Sequence, residues 1–145
     1  MEASIKQTEE ILLNAGMELY TNNAPYGEII THFDNASREY PRSATALTCL
    51  SWLYLMRNEK GDADRAIDAA RRAQRLEANN VQAIFNQILG MLIAGKVGIR
   101  DVVEQAFAYA TLEDITLAKD NLQDALTRRP DFAEAKKLLN WIESR

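Results

Sequence analysis

Several things are scarce in this chain of 145 residues, and each scarcity removes a class of function. There is one cysteine, Cys49, so the chain can form no internal disulfide and no multi-cysteine zinc site. There is one histidine, His32, so a metal or acid–base site built on several histidines is excluded as well. Basic residues are not in excess: 17 Lys and Arg stand against 21 Asp and Glu, a net charge of −4, which argues against a general nucleic-acid binder. Long apolar runs are missing too. The most apolar window, residues 84–94, is interrupted by Asn86 and Gln87. It falls short of the ~20 residues that a membrane-crossing helix needs. The start, Met1-Glu2-Ala3-Ser4-Ile5-Lys6 with Glu9 and Glu10 following, has neither the basic end nor the apolar stretch of a secretory signal. A cytoplasmic location is the expectation. Proline (3) and glycine (6) are rare, whereas alanine and leucine number 21 and 16. Many helix formers and few breakers, in a 16.4 kDa chain, predict a single all-α domain with a core of its own.

What is present is a spacing that recurs three times. Ile29, Phe33, Ala36 and Pro41 are separated by 4, 3 and 5 residues, as are Ala66, Ala70, Ala73 and Ala78, and again Ala118, Leu122, Ala125 and Pro130. The 4–3 step marks one face of an α-helix, and the last position marks its end. Pro41 and Pro130 push the residues before them, Tyr40 and Arg129, out of helical geometry. Ser43, Asn80 and Asp131 then offer N-caps to the next helices, with Asp131 and Glu134 spaced as a capping box. Another helix precedes each segment: residues 4–22, 44–58 and 81–94, carrying Leu12, Leu13, Gly16 and Tyr20, then Leu47, Leu50 and Tyr54, then Ile84, Ile88 and Met91 on their packed faces. A last helix spans 132–143. The chain reads as a series of antiparallel helical hairpins.

Leu47, Leu50, Tyr54, Gly61, Asp62, Ala66, Ala73, Leu76, Asn79 and Asn80, with the closing Pro41 and Pro130, resemble the tetratricopeptide repeat (TPR) family over roughly residues 10–143. Gly61-Asp62-Ala63-Asp64-Arg65-Ala66-Ile67 is the clearest match, similar to the family's turn into its second helix and the small residue that lets two helices approach. The resemblance implies an α-solenoid of three degenerate repeats, about 10–43, 44–80 and 81–131, and a C-terminal capping helix, 132–143. Two departures stand out. Ala78 replaces a proline, and about 18 extra residues, 95–112, lie inside the third repeat. Val102, Val103, Ala106, Phe107 and Ala110 share a helical face there, so an extra helix, or an extension of the following one, is expected, giving seven or eight helices in all.

Stacked hairpins leave a concave groove lined by the first helix of each pair. Ile11, Asn14, Ala15, Glu18 and Asn22 would line it in the first repeat, a polar stretch. Thr48, Trp52, Leu55, Met56, Phe85, Asn86, Leu89 and Leu92 are the candidate partner-binding residues, apolar from Trp52 onward. Burying each large apolar side chain is worth roughly 1.5–3 kcal/mol, so this surface needs a cover. The function expected is a protein–protein interaction module, an adaptor, assembly factor or chaperone-like scaffold, that buries an apolar or amphipathic segment of a protein or peptide in the groove. The alternatives are that the residues around Val102–Ala110 or the last helix, with Leu138, Leu139 and Trp141, fold over the groove, or that a homo-oligomer buries it as a structural subunit. Some TPR domains grip a partner's terminal carboxylate with paired Lys or Arg and Asn. Residues 44–56 and 81–94 contain no basic residue, so that mode is not expected here.

Charge is uneven along the chain. Residues 1–40 carry a net −5, residues 41–80 a net +2 and residues 81–145 a net −1. Arg65, Arg71, Arg72 and Arg75 share a helix and read as a solvated face paired locally with Asp64 and Asp68. No catalytic, cofactor or metal site is expected. His32 and Asp34 cannot form a dyad within one helix. Cys49 has no cationic neighbour in sequence to activate it. Gly90, Gly95 and Gly98 follow a helix rather than a strand, with the wrong spacing for a phosphate loop.

Overall fold

A computed structural model describes residues 2–145, with backbone alone for 2–7. It contains eight helices: α1 (Glu2–Thr21), α2 (Tyr26–Glu39), α3 (Ala44–Arg57), α4 (Asp62–Leu76), α5 (Val81–Ala94), α6 (Ile99–Tyr109), α7 (Leu112–Arg128) and α8 (Ala133–Glu143). The extra helix expected between residues 95 and 112 is α6. Four-residue connections join all of them except α6 and α7, which Ala110 and Thr111 alone connect. Antiparallel neighbours result from such short connections.

The helix starts follow side-chain chemistry at three places. Ser43 Oγ accepts from the Ala46 amide (3.1 Å), and Asn80 Oδ1 accepts from the Ala83 amide (3.0 Å). Thr111 and Asp114 complete a reciprocal capping box at α7. The box expected from Asp131 and Glu134 does not form. Phe132 takes the cap position of α8 and makes no side-chain cap bond, because its ring is drawn into the core.

Helices α2 to α5 pack in sequence, α2 on α3, α3 on α4, α4 on α5, and α3 also touches α5. Ala66, Ala73, Ala118 and Ala125 are all buried, the small side chains that let helices approach. Gly90 does the same between α4 and α5, where an added Cβ would lie 2.8 Å from Ile67 Cγ1 and 3.1 Å from the Ala63 carbonyl oxygen. The Gly61-Asp62 turn is held by a buried carboxylate. Asp62 receives Arg57 Nε and Nη2 (both 2.8 Å), Arg65 Nη1 (2.9 Å) and the Glu59 amide (2.9 Å).

Beyond α5 the pairing differs from the repeat arithmetic. The helix carrying Ala118, Leu122 and Ala125 was expected to be the second half of α5's hairpin. Instead α6 packs more extensively on α5, and α7 pairs with α8. The reason lies in α6 itself: Val103 and Ala106 supply a buried face long enough to occupy the place beside α5. The α7–α8 hairpin turns back over the first-helix side of the array and touches α5 through both of its helices.

Candidate partner-binding groove

The last two helices decide which parts of the concave face stay open. Trp52 of α3, Phe85 and Leu89 of α5, Ala118 and Leu122 of α7 and Leu138 of α8 surround a residual void of only about 10 Å³. Phe107 of α6 meets Phe85 edge to face, with ring centroids 5.9 Å apart. The chain therefore covers most of its own apolar surface.

Two consecutive arginines fasten this cover. Arg128 bonds the Tyr20 carbonyl (3.3 Å), Asn23 Oδ1 (3.1 Å) and Asp124 Oδ2 (3.0 Å), and its guanidinium stacks 3.9 Å over the Tyr20 ring. Arg129 donates to the Leu55 and Met56 carbonyls (3.2 and 3.3 Å) and stacks on Phe132. Each cation thus sits at a helix C-terminus, Arg128 at α1 and Arg129 at α3, where terminal carbonyls and the helix dipole favour positive charge. Tyr20 links three helices: its hydroxyl accepts from Trp52 Nε1 (3.1 Å) and donates to Asp124 Oδ2 (2.9 Å). Burial is the main reason its phenol is pushed up. The bond to Asp124 and that carboxylate's charge add to the effect, while the bond from Trp52 opposes it.

An open cavity of about 350 Å³ remains between α1, α3, α5 and α7. Met17 and Tyr20 line it from α1, and Thr45, Thr48, Cys49 and Trp52 from α3. Asn80, Gln82 and Asn86 contribute from the start of α5, and Leu117, Asn121 and Asp124 from α7.

Of the residues proposed from sequence, Thr48, Trp52 and Asn86 line this cavity. Leu55, Met56, Phe85 and Leu89 do not offer free surface: they are 0%, 1%, 4% and 1% exposed, inside the core that α7 and α8 complete. Leu92 is half-buried against the same core. On α1 the lining residues are Met17 and Tyr20 rather than Ile11, Asn14, Ala15, Glu18 and Asn22. Leu117, Asn121 and Asp124 were not foreseen. Their signal was a second stripe on α7, spaced 4 and 3, beside the Ala118–Leu122–Ala125 stripe already assigned to packing.

Cys49 is an ordinary thiol in the cavity, its pKa pushed up to about 11 by burial, so it is not a ready nucleophile at neutral pH. His32 does not line the cavity; its ring packs edge to face on Phe33 and donates through Nε2 to the Leu12 carbonyl (2.7 Å). Among the described residues no three His, Cys, Asp or Glu side chains converge to hold a metal ion. No family model matches the chain, and no curated protein is significantly similar to it. The side chains of the cavity therefore carry the functional argument. No helix among the described residues is long and apolar enough to cross a membrane.

Proposed function

We propose that the chain is a TPR-type module that binds an extended segment of a partner protein in the open cavity between α1, α3, α5 and α7, without chemical turnover. The observation that carries this reading is the cavity's lining: Trp52 and Met17 for apolar contact beside Asn86, Asn121 and Gln82 for hydrogen bonds. An extended backbone presents alternating N–H and C=O groups, and side-chain amides answer both. An apolar helix is the wrong shape for this site, since the apolar stretch that would have received one is covered by α7 and α8. The same cover weighs against the reading of a structural subunit that dimerises through Phe85 and Leu89. An adaptor or assembly role in the cytoplasm, with a protein or peptide partner rather than nucleic acid, fits this reading.

The test is an amide-resolved NMR titration of the full chain with a pooled library of acetylated, amidated hexapeptides. Shifts are expected at Met17, Thr48, Trp52, Asn86 and Asn121. Shifts confined to other surfaces, or none, would overturn the reading.

A further inference from the structure

The hydrogen-bonding groups of the cavity are engaged unequally. Gln82 Nε2 donates to the Asp114 carbonyl (3.1 Å), and Asn86 Nδ2 donates to the Thr48 carbonyl (3.2 Å). A carbonyl accepts only, so both amides are fixed with nitrogen toward the protein. Their oxygens, Gln82 Oε1 and Asn86 Oδ1, have no protein partner. Among the described residues no side-chain nitrogen or oxygen is both buried and unpartnered, so neither oxygen is fully buried, and both residues border the cavity.

Asp124 adds a third free acceptor. Its Oδ2 receives both Tyr20 and Arg128, while Oδ1 has no partner. Among the described residues lining the cavity, Asp124 is the one charged side chain. Arg128 partly offsets it, but is itself shared with Asn23 and the Tyr20 carbonyl and does not line the space. Helical spacing extends the same sign outward: Glu10 lies two turns before Met17 on α1, in a segment whose net charge is −5 over residues 1–40. A site with three open acceptors, one of them a carboxylate, favours a ligand rich in N–H donors and carrying positive charge.

We propose that the cavity receives a lysine or arginine side chain from the partner segment, its ammonium or guanidinium directed to Asp124 Oδ1, Gln82 Oε1 and Asn86 Oδ1. The methylene stem lies along Trp52, as long cationic side chains do on apolar surface. This rests on the binding reading above and specifies what is bound. A carboxylate in the same place meets acceptors and a like charge.

An array of acetylated, amidated degenerate hexapeptides, one position fixed as Lys, Arg, Leu or Glu, tests it with the full chain. The Lys and Arg pools are expected to bind about tenfold better than the Leu pool, the scale of one charged hydrogen bond. The Glu pool is expected at background, and the basic advantage to shrink as salt rises. Asp124→Asn should remove that advantage. Because Asp124 also holds α7, Leu117→Lys is the second variant: this exposed cavity-lining position accepts a cation without disturbing Asp124, and it should remove the advantage with helicity unchanged. Peptides that bind with no basic preference, or with an acidic one, overturn this inference and leave the binding module standing. No binding by any pool overturns both.

Discussion

The concave face has two ends that began alike and finished differently. At one end, α1 and α3 leave Met17, Thr48 and Trp52 bordering open space. At the other, α5 carries Phe85 and Leu89 on the same kind of face, yet both are buried beneath α7 and α8. The difference is not in the helices that form the face. It lies in a hairpin more than 20 residues downstream, which supplies Leu122 and Leu138 as cover. Exposure of an apolar stripe is a property of the whole chain and cannot be assigned from the stripe alone.

The sharpest way to break this comparison is to cut both ends equally. Phe85→Ala should lower stability by about 3–5 kcal/mol, as large-to-small changes in cores do, measured by urea denaturation. Met17→Ala at the open end should change it by no more than about 0.5 kcal/mol. Equal losses would mean the two ends are equally covered.

Asp62 gives the next effect. Burial alone pushes its carboxyl up, but the bonds from Arg57, the Glu59 amide and Arg65 outweigh burial and hold it below the ordinary carboxylate value. Its stabilising contribution is therefore complete above the unfolded-state value of about 4 and is lost as acid carries the pH down through the folded value. Asp62→Asn should cost about 1–3 kcal/mol at neutral pH, because it weakens the charged hydrogen bonds from Arg57 and Arg65, although Arg57 keeps Glu59. It should also flatten the fall in stability below about pH 4. An unchanged acid limb would remove Asp62 from the explanation.

Close approach is tested by paired glycines. Gly90→Ala should destabilise by about 1–3 kcal/mol, since its Cβ would meet Ile67 and a backbone oxygen. Gly27→Ala, with nothing within 4 Å, should be neutral or stabilising by up to about 1 kcal/mol. Thermal melts of the two variants separate the cases. A modest loss is expected at the join between the ends: Tyr20→Phe removes the hydroxyl between Trp52 and Asp124 and should cost about 1 kcal/mol.

How much of this was legible beforehand follows from the range of the interactions involved. Ser43 and Asn80 act within three residues of themselves, and the helix starts they set were readable. The 4–3 spacing of Ala66, Ala70 and Ala73 is local as well, and all three are buried. The partner choice of α5 was not readable, because α6 and α7 both carry small buried faces and only their competition for one place selects α6. Asp131 failed as a cap for a related reason: burial of Phe132, a tertiary effect, set the end of α8. Thr48, Trp52 and Asn86 were found from one helix face each. Asp124 and Asn121 were missed because their role depends on where α7 lies across the array.

Tyr20 and Asp124 are 104 residues apart in the chain, and Arg128 reaches the Tyr20 carbonyl across 108. Most other packing is between consecutive helices, which can meet as soon as both exist. Closing so long a loop costs more chain entropy than pairing neighbouring helices, so this contact is expected to form after the hairpins during folding. A contact absent from the folding transition state governs the rate of opening rather than the rate of folding. Arg128 is therefore expected to govern the rate of unfolding more than the rate of folding.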